Sequence, residues 1–268
     1  IERIKKRLSL PLHGYKQISF DTIEILSRKS IKKINIKDIK NLEKKIKKKV
    51  LSDIKQISKK KNLKGLKFSK FPLIMGVLNL TPDSFSDGGI YLKKNLGEIH
   101  AKRLVRDGCD IIDIGGEATN PGSNEVHIKD EWKRIFPTLS KIGNLKSFIS
   151  LDTRKSEIIK KALKYKINLV NDISGLDYDP YTLEVLKKTK IPFVIHHMRG
   201  DPKTMQKNPK YKNVLLDIYD FFEKKINFIR SNGIKHNNII LDPGIGFGKN
   251  LKHNITLIRN ISIFHSLR

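Results

Sequence analysis

From residue 71 onward the chain alternates between two kinds of segment. Short apolar runs rich in Ile, Leu and Val occupy residues 74–80, 110–114, 148–151, 169–171, 193–196 and 239–241. Runs of this length, bounded by polar turns, predict buried strands. The segments between them carry apolar residues at helical spacing. Ile128, Trp132, Ile135, Phe136, Leu139 and Ile142 share one face, and Val214, Ile218, Phe221, Phe222, Ile226 and Ile229 share another. Strands alternating with amphipathic helices predict βαβ units and a parallel sheet. The polar residues that follow each strand favour an α/β fold of the TIM (β/α)8 barrel type over an open doubly wound sheet. The glycine fingerprint of a dinucleotide fold is missing after the first run. A closed barrel takes eight strands, so the barrel is expected to be incomplete here, about six βα units of a longer protein.

Residues 1–70 follow no such rhythm. A strand is expected near 17–25, a Lys-rich helix near 36–61 and a linker at 65–69. The expected division is therefore an irregular, basic N-terminal extension, 1–70, and a barrel domain, 71–268. Charge sharpens that division. The net charge is +28, and residues 1–70 alone hold 23 Lys/Arg against 6 Asp/Glu. Such an excess raises the possibility of nucleic-acid binding. Few aromatics are interleaved for base stacking, however, and no binding motif accompanies the charge. Lys, Ile and Asn are abundant throughout, so a solvated basic face is expected and a nucleic-acid partner is not. A positive field would also attract small anions. The one cysteine, Cys109, excludes an internal disulfide and suits a reducing cytoplasm. No run is long enough to cross a bilayer, so no membrane partner is expected.

The candidate chemistry sits where the apolar runs end. The first run continues as Ile74-Met-Gly-Val-Leu-Asn-Leu-Thr-Pro-Asp-Ser-Phe-Ser-Asp-Gly-Gly89, which puts Asn79 at a strand end and Asp83 and Asp87 on the loop beyond. The second ends Ile111-Ile-Asp-Ile-Gly-Gly-Glu117, opening a loop over 118–124 whose glycines allow close backbone approach to a ligand. Asp152, Asn171 with Asp172, and His196-His197-Met198-Arg199 follow the next three. The sixth leads into Asp242-Pro-Gly-Ile-Gly-Phe-Gly-Lys249. Any one of these alone fits a helix cap or a turn. In a barrel they converge on one mouth. Asp152, Asn171 and Asp242 on its floor suit a flat heterocycle with several N–H donors. No Ser/His/Asp or Cys/His nucleophile arrangement is present, and no His/Cys spacing matches a zinc site.

The segments 74–89, 111–122, 150–153, 170–175, 196–206 and 240–249 resemble, in order, the motifs of the dihydropteroate synthases, the first and last being the most specific. The resemblance implies a folate-pathway transferase. Such an enzyme joins 6-hydroxymethyl-7,8-dihydropterin diphosphate to 4-aminobenzoate and releases pyrophosphate. It implies that the pterin lies on Asp152, Asn171 and Asp242, with Met198 and Gly246 beside it. Asn79 would help hold the diphosphate and its Mg²⁺, and the loops bearing Asp83 and Thr119 would close over them. Phe85, Pro121 and Phe247 would shelter the aminobenzoate. Asn79, Asp152 and Asp242 are the expected catalytic residues, and a homodimer is the expected assembly.

Two departures from the family pattern stand out. The second loop reads Ala118-Thr-Asn-Pro121 where the family usually has Ser-Thr-Arg-Pro, so a cation for an anionic substrate group is lost. The family's later Ser-Arg-Lys and Arg-Val-His motifs are not in this chain, which by itself is therefore expected to be inactive. The competing readings are a methyltetrahydrofolate-dependent pterin methyltransferase, disfavoured by the diphosphate-loop run 81–89, and a non-catalytic nucleic-acid-binding protein.

Overall fold

The computed structural model describes residues 2–6, 8–60, 72–81, 95–119, 122–200 and 202–267, Lys16 by its backbone alone. Among them the chain forms two compact units, one of residues 1–62, 211–224 and 255–268, the other of residues 63–210 and 225–254.

The first unit opens with a single turn, α1 (Glu2–Lys5), and two hairpins. β1 (Leu10–Leu12) pairs antiparallel with β2 (Tyr15–Phe20), and β3 (Thr22–Leu26) with β4 (Ile31–Asn35). A 3₁₀ turn, Ile36–Asn41, follows, capped by the Asn35 side chain, which accepts from the Lys37 amide. The Lys-rich helix α2 (Lys44–Ser58) comes next. The N-terminal stretch is therefore not irregular. The strand expected near 17–25 divides at Asp21 into β2 and β3, which belong to different two-stranded sheets. The apolar residues scattered among the lysines supply a small core, Ile34, Ile39 and Val50 with Ile23, Ile25, Leu42 and Ile54 around it. The linker expected at 65–69 lies outside the described residues.

The second unit carries a six-stranded parallel sheet: β5 (Met75–Asn79), β6 (Ile111–Gly115), β7 (Phe148–Asp152), β8 (Leu169–Asp172), β9 (Phe193–His196) and β10 (Ile239–Asp242). Each strand pairs with its sequence neighbour, and spatial order equals chain order. The intervening helices are α3 (Leu96–Arg106), α4 (Ile128–Ile142), α5 (Ser156–Ala162), α6 (Thr182–Thr189) and α7 (Val214–Ser231), with α8 (Leu251–Arg259) after β10. This α/β architecture is an incomplete barrel, as expected. Strand alternation sorts the side chains onto two faces. Leu78, Ile112, Ile114, Ile149, Leu151 and Phe193 are buried on one. Gly97 of α3 permits close packing there, since a Cβ at that position would stand 3.1 Å from Leu80 and 2.1 Å from Thr138 Oγ1. Among the described residues no helix is long and apolar enough to cross a membrane.

The apolar helix stripes need two adjustments. In α4 the buried positions are Glu131, Ile135, Thr138, Leu139 and Ile142, while Phe136 is 41% exposed and stacks on Trp132 at 5.6 Å. The first half of α7 groups with the N-terminal elements rather than with the sheet. Arg28 donates to Asp217 at 2.8 Å and Asp220 at 2.5 Å, and Phe222 meets Phe264 edge-on at 5.4 Å. We expect Phe222→Ala to lower stability by about 3–5 kcal/mol and Phe136→Ala by about 1 kcal/mol, read as denaturant midpoints.

Candidate functional site

Register places the site. Asn79 pairs with Gly115, Gly115 with Asp152, and Asp152 with Asn171, so these four form one row across the carboxyl ends of β5 to β8. Asn171 continues to Val194, and two residues beyond Val194 His196 pairs with Asp242. Period two then keeps Asn79, Asp152, Asn171, His196 and Asp242 on the face opposite the buried aliphatic layer. Gly115 leaves room in the row: a Cβ there would stand 3.2 Å from Asp152 Oδ2, so the carboxylate would have to shift.

Sequence reasoning missed Asp113 as a site residue. It lies two residues below Gly115 on the same face, between Val77 and Ser150. Asn171 Nδ2 donates to Asp113 Oδ2 at 2.9 Å. The remaining Asp113 Oδ1 and Asn171 Oδ1 are buried with no hydrogen-bond partner among the described residues. The signal was visible as a lone carboxylate inside the run Ile-Ile-Asp-Ile, which a purely structural strand would avoid.

The electrostatics follow from crowding. Burial pushes the Asp152 carboxyl well above the usual carboxylate range, and neighbouring Asp113 and Glu131 push it further. Burial raises Asp113 too, against hydrogen bonds that lower it. Asp242 behaves differently. Burial raises it, but His196, the Gly244 amide and Lys249 together outweigh burial and hold it below its ordinary value. His196 Nδ1 lies 3.3 Å from Asp242 Oδ2, Gly244 N donates to Oδ1 at 2.8 Å, and the carboxylate side chain stays 44% exposed. The site thus holds a pair of acids that resist ionisation beside one that ionises readily.

Asp172 points to the other face. Its carboxylate accepts from Ser174 N and Oγ and from Leu176 N, and burial raises it to about 6. It shapes a loop and does not join the row. Lys249 is not an open cation either. Its Nζ donates to the Phe247 and His197 carbonyls at 2.7 and 3.2 Å and lies 3.1 Å from His197 Nδ1, while burial lowers it to about 8. It thereby pins the glycine-rich turn. Within that turn Gly246 is exposed at φ +87°, its carbonyl accepting from Gln206 Nε2 at 2.6 Å. Phe247 meets the His196 ring edge at 4.6 Å. Met198 and Thr119 are half-buried on loops after β9 and β6. Asp83, Phe85, Asp87, Asn120 and Pro121 lie outside the described residues.

A second cluster anchors the loop after β6. Lys155 Nζ lies between Glu117 Oε2 at 2.7 Å and Glu131 Oε2 at 2.6 Å, all three buried. Thr153 Oγ1 donates to Glu131 at 2.6 Å, and Arg154 pairs with Glu117 at 2.8 Å while lying over the Tyr178 ring. Glu117 also accepts from the Val126 amide, which closes the loop on itself.

For Mg²⁺, the described residues contain no group of three His, Cys, Asp or Glu that could hold a metal ion. Asn79 contributes one neutral oxygen at a strand end. That suits a cation which keeps several waters and binds chiefly to phosphate oxygens.

Comparison with known proteins agrees with this geometry. The family model described as "Pterin binding enzyme" matches residues 75–268. The dihydropteroate synthase of Escherichia coli K12 is 41% identical over 195 residues, 72% of this chain and 69% of its own length. That of Haemophilus influenzae is 41% identical over 194 residues, 72% of this chain and 70% of its own. The crystal structure of the Yersinia pestis dihydropteroate synthase with a sulfonamide drug complex superposes with a TM-score of 0.72 at 39% identity, covering 77% of this chain and 75% of that one. The Clostridium difficile enzyme in the presence of pteroic acid gives 0.67 at 38% identity, covering 75% of each chain.

Lys155→Met leaves buried Glu131 without its cation and Glu117 with Arg154 alone, and is expected to cost about 3–5 kcal/mol, measured by chemical denaturation. The raised Asp152 predicts a pH signature. The folded protein holds a proton there that the unfolded chain releases near pH 4, so this group's contribution to stability falls as pH rises. The stability of Asp152→Asn relative to the unchanged protein should therefore increase from pH 4 upward in thermal melts. A difference constant across pH contradicts the burial argument.

Proposed function

The chain belongs to the dihydropteroate synthase family of pterin binding enzymes, and from that premise we propose that it condenses 6-hydroxymethyl-7,8-dihydropterin diphosphate with 4-aminobenzoate, giving 7,8-dihydropteroate and pyrophosphate. The observation that carries the reading is the set of acceptors, Asp113, Asp152, Asn171 and Asp242, with two buried oxygens left without a partner among the described residues. A pterin edge rich in N–H donors satisfies such a row, and an apolar ligand would leave it desolvated.

In this reading the ring lies on Asp152, Asn171 and Asp242, flanked by Met198 and the Gly246 turn. Asn79 and Thr119 face the diphosphate. Asn79 would hold Mg²⁺ there, and the ion, when bound, would neutralise the departing pyrophosphate. Phe247 forms one wall for the aminobenzoate, and Phe85 and Pro121 are proposed as the others. Breaking the C–O bond sends its electron pair to the pyrophosphate and leaves positive charge on the pterin methylene. The arylamine nitrogen supplies the pair for the new C–N bond and then loses a proton. Positive charge developing on the ring favours ionisation of the crowded acids beneath it, and the carboxylate so formed, with that of Asp242, stabilises the cationic state. No protein nucleophile is required. The free thiol Cys109 suits a cytoplasmic setting.

The direct test is pyrophosphate release by the full-length protein. Release that depends on aminobenzoate and Mg²⁺, and falls about 10²-fold or more with Asp152→Asn, supports the reading. Pterin binding without release, with methyl transfer from methyltetrahydrofolate instead, overturns it.

A further inference from the structure

His196 has no part in the chemistry above, yet it touches both halves of the site. It is 4% exposed, and its register partner is Asp242. Its Nδ1 lies 3.3 Å from Asp242 Oδ2, and the His197 amide next to it donates to the Asp242 carbonyl at 2.9 Å. The other face of the relation is aromatic. The imidazole meets Phe247 edge-to-face, centroids 4.6 Å apart and planes at 78°. Its Nε2 is buried without a hydrogen-bond partner among the described residues. Gly244 closes on it, for a Cβ there would stand 2.6 Å from Nε2 and 2.1 Å from the His197 carbonyl. Among the described residues the ring thus has one polar contact, one aromatic contact and almost no room to turn.

We infer that His196 is a positioning residue that holds the pterin-facing carboxylate of Asp242 and the ring of Phe247 in a fixed relation, coupling the two substrate subsites. With Gly244 N on Oδ1 and His196 on Oδ2, both oxygens of Asp242 are oriented before substrate arrives. Pre-orientation of this kind lowers the cost of bringing ring and aminobenzoate into line. The same imidazole edge sets where Phe247 stands. The charged and titratable groups facing this unit are Asp242, Lys249 and His197, with Asp113 beneath and Arg199 on the following loop.

The inference rests on the proposed function, and two substitutions separate its halves. His196→Phe keeps a ring against Phe247 but removes the Nδ1 donor. It is expected to raise KM for the pterin diphosphate about tenfold, with KM for aminobenzoate near its original value. The acid limb of its pH profile should move upward, because Asp242 loses a partner of its charged form. His196→Asn keeps a donor close to the Nδ1 position and removes the ring, so the aminobenzoate KM should rise instead. Both variants folding with unchanged KM for both substrates and an unchanged pH profile overturns the inference. The imidazole nitrogen NMR spectrum of the unsubstituted protein decides the matter if the variants do not fold. A proton resident on Nδ1, and its loss of hydrogen bonding in Asp242→Asn, supports the inference; a proton resident on Nε2 overturns it. Absence of turnover in the unsubstituted protein, by contrast, overturns the proposed function, and the NMR result then stands on its own.

Discussion

A lysine ammonium sealed between two glutamates holds the rim of this site together. Lys155 follows β7, Glu117 follows β6, and Glu131 sits in the first turn of α4. Removing any one leaves charge in a place that water cannot reach, which is far more costly than the pair itself is stabilising. The consequence is geometric. The loop after β6 begins at Glu117, so its starting direction is set by an interaction that tolerates little displacement. Arg154, lying over Tyr178, and the Val126 amide fasten the same glutamate from two other sides. Binding loops need such a rigid base if the groups they carry are to meet a ligand at hydrogen-bond distance.

Beneath that rim the acids are arranged against their own interest. Burial raises Asp113 and Asp152 alike, with Asp113 pushing Asp152 further and Asp242 pushing Asp113. Asp242 escapes because His196 and the Gly244 amide favour its charged form. A folded chain that accepts such repulsion stores free energy that a ligand of the right charge can release. The same proximity that weakens the protein alone strengthens its hold on a cation-forming ring.

Much of this was legible in the sequence. All six parallel strands fall on the expected apolar runs, within one residue at most ends, because buried parallel strands are apolar on both faces and bounded by polar turns. Their ends brought Asn79, Asp152, Asn171 and Asp242 onto one face, since strand termini and period-two alternation suffice to place them. Three features were not legible. Glu131 lies one turn from Ile128 and Ile135 but carries a charge that by itself belongs in solvent, and the distant Lys155 and Thr153 explain its burial. Lys249 reads as a free cation at the end of the sixth motif but is spent on the carbonyls of Phe247 and His197, a choice made by loop geometry. The hairpins before α2 are hidden by lysines whose long stems leave the sparse isoleucines looking unpatterned, although those isoleucines form a core.

The identity of spatial and chain order in the parallel sheet has a bearing on assembly. Each strand, from β6 to β10, docks on the one synthesised immediately before it, with a single connecting segment between. The sheet can therefore grow along an emerging chain one βα unit at a time, without waiting for distant partners. The polar row is completed in the same sequence, with Asn79 first and Asp242 last. The carboxylates that repel one another are thus brought together in stages, and Asp242 arrives together with the Gly244 amide that helps to hold its charge.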